Sequence, residues 1–395
     1  MTNREVVVLS AVRTAIGKFG GALKDLPPTE LAAKVVSQSV QRSGLPAADV
    51  GNLVFGNVIH TEAKDMYLAR VAALRGGLPV TTPALTLNRV CGSGLQAIVS
   101  AALTIARGDA DAAIGGGVES MSRAPYWLNS MRWGARMNDT TAVDVLVAAL
   151  TDPFDQVHMG LTAENVARKW GITRADQDEL AVLSHRRALS AIRDGKFKSQ
   201  IVPIELKTKS GTTSFDTDES PRADATMENL ARLKPAFDKE GTITAGNASC
   251  INDGAAAVLL MERHAAEERG LKPVAKLIDY AVAGVEPGVM GIGPVPAVKR
   301  LYERTGLCTC KMDVIEANEA FAAQVLAVRR ELDLPLEKTN PNGSGISLGH
   351  PLGATGAIVT VKAIHELHRI GGEYALVTMC IGGGQGIAAI FQSMN

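Results

Sequence analysis

Four short stretches carry residues whose types and spacing could do covalent chemistry. In NRVCGSGLQA (88–97) a cysteine precedes Gly92 and Gly94 and then an apolar helical pattern. A thiol at a helix N-terminus meets unpaired N–H groups and the positive end of the helix dipole, and both favour the thiolate. Cys91 reads either as a nucleophile or as a small buried cysteine. GHPLGATG (349–356) places His350 before a glycine-rich turn that opens another helix, and histidine is the side chain suited to proton exchange near neutral pH. CIGGGQG (380–386) places Cys380 at the end of an apolar strand, before three glycines. Those glycines can aim N–H groups at a developing oxyanion, or simply form a tight turn around a buried thiol. EANEAFA (316–322) holds Asn318 after a strand; its amide could orient a water or an oxyanion, or cap a helix.

Weaker candidates surround these four. Cys308 and Cys310 form C-x-C without the second pair of a zinc site, so they read as a surface loop. His365 and His368 lack the H-E-x-x-H spacing and read as the solvated end of a helix. No metal is expected. His158, Arg222 and Ser249 lie in loops that could meet an anionic cofactor.

The elements that must position these residues show in the periodicity. EVVVLS (5–10) and LVFGNV (53–58) read as strands, and 31–44 as a helix closed by Gly44. After Cys91, Leu95, Ile98, Val99, Ala102, Leu103 and Ala106 give one buried helix face ending near Gly108. A strand follows at 111–117. From about 120 to 247 the texture changes to charges, all three tryptophans, a helix near 174–194 and loop-like runs such as KSGTTSFDTDESPRADA. Alternating α/β texture returns at 255–262 and 275–284, with a helix at 296–305 and a strand at 313–317. The last third repeats the first. SGLQAIVSAALTI (93–105) resembles TGAIVTVKAIHEL (355–367), and AIGGG (113–117) resembles CIGGG (380–384), which pairs Ala113 with Cys380. One βα unit is therefore duplicated, and the loops of both halves can converge on one site.

Composition narrows the classes. The chain has 395 residues, 46% hydrophobic and 21% charged, with 41 basic and 41 acidic side chains. Zero net charge argues against a general nucleic-acid surface. Five cysteines in a chain this long argue against a disulfide framework and for a reducing compartment. The N-terminus reads as a strand rather than a signal peptide, and no apolar run approaches the ~20 residues of a membrane span. The expected location is the cytoplasm, with neither membrane nor nucleic acid as partner.

Taken together, NRVCGSG, GNASCINDGAAA, NEAFA, NGSGISLGHPLGATG and CIGGGQG resemble the thiolase family, in family order and across nearly the whole chain. The chain looks most like bacterial acetyl-CoA acetyltransferases and β-ketothiolases. It departs where Asn-Pro-Asn-Gly-Ser-Gly-Ile-Ser precedes Leu-Gly-His, in place of the common Asn-Gly-Gly-Ala-Ile-Ala. The resemblance implies an α/β fold of two βαβαβαββ halves in a five-layered αβαβα sandwich. The first half would comprise 1–119 and 250–270, the second 271–395, and residues 120–249 an inserted loop domain for coenzyme A binding and oligomer contacts. It implies a homotetramer, a dimer of dimers. Cys91 would be the acylated nucleophile and His350 its activator. Cys380 would be the acid/base for the α-proton. Asn318, through a water, and His350 would form one oxyanion hole, and the N–H groups of Cys91 and Gly382 the other. His158, Met159, Arg222, Phe237, Ala245, Ser249 and Phe321 would line the coenzyme A site, with Met290 near the acyl pocket.

The implied reaction is reversible Claisen condensation of two acetyl-CoA to acetoacetyl-CoA plus CoA, with thiolysis of 3-ketoacyl-CoA in reverse. No tightly bound cofactor is expected; coenzyme A thioesters are substrates and products. The alternatives are a broad-chain 3-ketoacyl-CoA thiolase, a decarboxylating ketosynthase-like enzyme, which would pair its nucleophile with two histidines, and a non-catalytic acyl-CoA or lipid-carrier module, which would have lost one of Cys91, His350 and Cys380.

Overall fold

The computed structural model describes residues 4–208 and 211–394. Residues 1–3 and 395, which the expected domain bounds include, and Lys209 and Ser210 lie outside the described residues.

β1 (Val6–Thr14) is buried along its whole length, as a valine-rich strand covered on both faces should be. α1 (Pro28–Ser43) opens on a proline and closes on Gly44 at φ 74°, the left-handed conformation that glycine adopts without penalty. β2 (Asn52–Gly56), α2 (Leu68–Arg75) and β3 (Ala84–Leu87) follow, then α3 (Ser93–Arg107) and β4 (Ala112–Ser120). The chain then leaves the sheet and builds α4 (Met159–Trp170) and α5 (Arg174–Arg193) before returning as β5 (Asn252–Glu262). The second half is β6 (Ala275–Gly284), α6 (Pro294–Thr305), β7 (Val314–Ala317), α7 (Ala322–Leu332), α8 (Leu352–Ile370), β8 (Tyr374–Ile381) and β9 (Gln385–Ser393).

The main strand path runs β7-β8-β9-β6-β1-β5-β4-β2-β3. Both halves repeat one order, and β1 joins them by pairing antiparallel with β5 and, through Val7–Lys276 and Val8–Ala275, with β6. In the second half the counterpart of β3 shrinks to a single bridge, Ile315–Thr339. α1 covers the outer face of the first half and α6 that of the second, while α3 and α8 lie between them. This is the five-layered αβαβα arrangement.

The helix repeat proves reciprocal in space. A Cβ on Gly94 would lie 2.6 Å from Ala357 N, and one on Gly356 would lie 2.3 Å from Leu95 N. These are the aligned positions of the two copies, so α3 and α8 touch backbone to backbone where their first turns cross.

The glycine triplets do not correspond as the sequence comparison suggests. Ala113 is the second residue of β4, whereas Cys380 is the seventh of eight in β8. Gly115 lies within β4 and lets α3 approach, since a Cβ there would sit 2.4 Å from Ile98 Cα. Gly383 and Gly384, at φ 79° and 84°, form the turn into β9. Similar triplets therefore serve close packing in one half and a reversal in the other.

Three further expectations change. The run read as loop-like holds Gly211–Phe215, which pairs antiparallel with Ile204–Thr208. Val90–Arg107 is long and apolar enough by composition to cross a membrane, but much of it is buried as the central helix α3. Cys308 and Cys310 are joined in a disulfide, against the expectation of a chain without such bonds.

The segment between β4 and β5 is pinned to the sheet by a buried ion pair. The Arg13 guanidinium, at the end of β1, donates to Asp218 at 2.7 and 3.0 Å and to Gln200 at 2.7 Å. Both charged side chains have no solvent exposure.

Candidate active site

Cys91 sits at the entrance to α3. Gly92, the N-cap, has no side chain to satisfy the first N–H groups of the helix. Val90 is held at φ 46°, costly for a β-branched residue. Its N–H donates to Asn88 Oδ1 and its carbonyl accepts from Ser93 Oγ. Gly92 is required because a Cβ would lie 2.5 Å from Ile381 Cδ1 of the second half. The thiol is half-buried. Burial pushes it up to about 11, while the N–H groups of Gly382 and of Cys91 itself, both directed at the sulfur, pull it down.

His350 is fixed at both backbone and ring. Its N–H donates to Asn252 Oδ1 at 3.0 Å. Gly349, at φ 116°, brings the turn so close that a Cβ would lie 2.4 Å from that amide. The ring Nδ1 lies 2.7 Å from Thr355 Oγ1, whose proton goes to the Pro351 carbonyl at 2.8 Å. A hydroxyl has one proton, so Nδ1 must be the donor to Thr355. Nε2 then carries the lone pair, and it is buried without a partner. Burial lowers the imidazole to about 4, which keeps it neutral.

Cys380 is buried one residue before the end of β8 and pairs with Gly386 of β9. Burial pushes its thiol well up, and Cys91 pushes in the same direction; the segment it belongs to reaches Cys91, since Gly382 N–H is directed at the Cys91 sulfur and Ile381 packs on Gly92. Asn318 follows β7, its N–H bonded to Thr378 O of β8. Both polar atoms of its side chain are buried without partners, so its amide is not the ordinary helix cap. The flanks are tied down. Glu316 accepts from Lys362 at 2.6 Å, and Glu319 accepts from Ser184 at 2.6 Å and Asn340 at 3.0 Å.

A ring stack leads towards these groups. His158 and Phe237 stack with centroids 4.5 Å apart, and Phe237 meets Phe321 edge-on at 6.4 Å. Ser249 N–H donates to Ala320 O at 2.9 Å, laying its segment beside Phe321. Met159 approaches Gly382, where a Cβ would lie 2.7 Å from its methyl carbon. Met290 is buried in the same apolar cluster as Met159, Phe321 and Cys380. The Arg222 guanidinium is exposed and pairs with Asp224, and Ala245 is exposed in the turn before Asn247. A cavity of about 740 Å³ opens between Val58, Ile59, Met66, Val90, Trp127 and Gly382.

The weaker candidates stay outside. Cys308 and Cys310 are tied up in their own disulfide, and no metal-ligating cluster occurs among the described residues. His365 is not solvated as expected: its ring bonds Ser199 Oγ at 3.0 Å and Ala11 O at 2.9 Å, while His368 is exposed. Thr355, Asn252 and Glu119 escaped the sequence reading. Thr355 could have been noticed as the polar residue one turn beyond His350, but Asn252 and Glu119 come from the other half.

Residues 6–264 match the thiolase N-terminal domain and residues 271–393 the thiolase C-terminal domain. The chain belongs to the thiolase family. As a thiolase it is an acyltransferase, and its substrates are coenzyme A thioesters. It is 63% identical to the beta-ketothiolase BktB of Cupriavidus necator over 390 residues, covering 98% of this thiolase and 99% of that protein. It superimposes on the Bacillus anthracis acetyl-CoA acetyltransferase with a TM-score of 0.97 at 47% identity, covering 99% of both chains. The human mitochondrial 3-ketoacyl-CoA thiolase in complex with CoA matches with a TM-score of 0.96 at 43% identity, over 99% of this chain and 98% of that one.

Proposed function

We propose that this thiolase condenses two acetyl-CoA to acetoacetyl-CoA and CoA, and cleaves short 3-ketoacyl-CoAs in reverse, through an acyl group on Cys91. The observation that carries the reading is the convergence of the two halves at Cys91: at the N-terminus of α3 its sulfur receives the N–H of Gly382, two residues beyond Cys380, and Gly92 abuts Ile381, next to Cys380. Cys91 would be acylated and Cys380 would move a proton.

In the first step His350 Nε2 takes the Cys91 proton as sulfur attacks the thioester carbonyl. The neutral, tautomer-fixed imidazole suits that role. The oxyanion would be met by the N–H groups of Cys91 and Gly382. The carbon–sulfur bond to coenzyme A breaks, and Cys380 protonates the departing thiolate. The Cys380 thiolate so formed removes an α-proton from the second acetyl-CoA. Its raised pKa makes it a strong base for a weak carbon acid. Asn318, through a water, and His350 would hold the enolate oxygen. The enolate carbon attacks the acyl carbonyl, Cys91 leaves as thiolate, and His350 returns its proton.

The ring stack of His158, Phe237 and Phe321, with Met159 and Ser249, would line the pantetheine path, and Arg222 and Ala245 its outer rim. We assign residues 120–249 as the loop domain bearing that path, between a first half of 1–119 with 250–270 and a second half of 271–395. A cytoplasmic homotetramer is proposed with it; the exposed Tyr126, Trp127, Met131, Trp133 and Met137 support an oligomer contact there. A second reading, action on longer 3-ketoacyl-CoAs, is favoured by the cavity beside Val90 and Gly382; Met290 shares a buried cluster with Met159, which lines that cavity.

Mass spectrometry after incubation with acetyl-CoA is expected to place the acetyl group on the Cys91 peptide. Cys380→Ala should still be acetylated there but fail to condense. Acetyl found only on Cys380, or loss of acylation in Cys380→Ala, would reverse the roles. Thiolysis rates across 3-ketoacyl chain lengths decide between the two substrate readings.

A further inference from the structure

A carboxylate lies at the seam of the two halves. Glu119, the penultimate residue of β4, is fully buried. Its Oε1 accepts from the Asn57 amide at 2.9 Å and Ile59 N–H at 3.0 Å, and its Oε2 from Val58 N–H at 3.0 Å and Gly353 N–H at 2.8 Å. Three of these donors belong to the first half, on the segment leaving β2. The fourth belongs to the first turn of α8. An N–H there usually finds its acceptor on the helix's own N-cap side chain. The N-cap of α8 is Pro351, which offers none. The acceptor arrives from the opposite half instead. The fit has no slack, for a Cβ on Gly353 would lie 2.8 Å from Glu119 Oε2 and 2.9 Å from Asn57 Cα.

We infer that Glu119 is a positioning residue for the reaction: by capping α8 from the other half it holds His350 in register with Cys91. The inference rests on the functional reading above. The four N–H donors suit an ionised carboxylate, and a negative charge at a helix N-terminus is favourable. Burial opposes ionisation and moves the group up to about 8, with buried Asp65 pushing the same way. Its negative charge also works against the Cys91 thiolate. The thiol thus stays protonated until His350 takes the proton.

The test uses the full-length enzyme, with Glu119→Gln and Glu119→Asp variants checked for folding by thermal melting. Gln turns an NH₂ group towards two of the four donors and removes the charge. Asp keeps the charge but falls one methylene short. Both are expected to lower kcat by about 10²-fold, the scale of a small misplacement of reacting groups. KM for acetyl-CoA should stay near wild type, since Glu119 lies off the ring stack. Iodoacetamide labelling of Cys91 against pH, read on the Cys91 peptide, separates charge from placement. Its midpoint should move to lower pH in Glu119→Gln and stay in place in Glu119→Asp. Wild-type kcat in either folded variant overturns the inference, as does an unmoved labelling midpoint in Glu119→Gln. If Glu119→Gln does not fold, Glu119→Asp alone decides. Labelling needs no turnover, so wild-type Cys91 that takes no acetyl group sinks the functional reading separately.

Discussion

A histidine that is to accept a proton must present a bare nitrogen, and one hydroxyl decides which nitrogen that is. Thr355 gives its only proton to Pro351 O and therefore accepts from His350 Nδ1. Thr355→Val keeps the shape but loses the acceptor, so the ring can carry its proton on Nε2. Its kcat is expected to fall on the order of 10²-fold, within the usual range for a general base, whereas Thr355→Ser should stay close to wild type. Steady-state kinetics of the two variants side by side check this. Equal losses in both would point to packing rather than tautomer. Cys91, His350 and Cys380 stood out in the sequence because glycines flank each of them, but each also read as a structural residue, and only the family resemblance gave them roles. Thr355 did not stand out, since its role appears only when the first turn of α8 folds it back onto the ring.

At the scale of elements, the reciprocal approach of α3 and α8 sets the distance between the two halves of the site. Gly94 and Gly356 let backbone meet backbone, and this is why the repeated SGL and TGA segments resemble one another. Gly356→Ala would place a methyl 2.3 Å from Leu95 N. Backbone has no rotamer with which to yield, so unfolding stability is expected to drop by about 1–3 kcal/mol, the usual cost of overpacking. Denaturant unfolding measures it. Periodicity revealed both helices but also misled, since the two glycine triplets look alike and do different work. A triplet inside a strand and one in a turn differ in φ, which sequence does not display.

At the scale of the whole molecule, residues 120–249 must be held against the sheet for His158 and Phe237 to meet Phe321 of the second half. Arg13 and Asp218, 205 residues apart, do this with both charges out of water. Removing one partner of such a pair leaves an unpaired buried charge, so Asp218→Ala should cost about 3–5 kcal/mol. Urea titrations of Asp218→Ala and of the double variant Arg13→Met/Asp218→Leu check it; the double variant should recover much of the loss. Texture and repeat suggested an interrupted duplication, and the strand order repeats across β1. The ion pair was not legible, because nothing local marks an aspartate in a polar loop as the partner of a strand arginine.

The position of β1 has a consequence for how the chain comes into being. Among the strands of the sheet, the one that ends up in the middle is made before the others, and its two long neighbours follow residues 120–249. Apart from Arg13 and Thr14, which pair with Ile201–Val202, valine-rich β1 must therefore wait unpaired until β5 and β6 emerge. Cys91 emerges long before His350 and Cys380, so a nascent or interrupted chain carries the sulfur without the groups that would put it to use. The reactive centre comes into existence only once synthesis has reached the last strands, which spares the cell a half-built acyl acceptor.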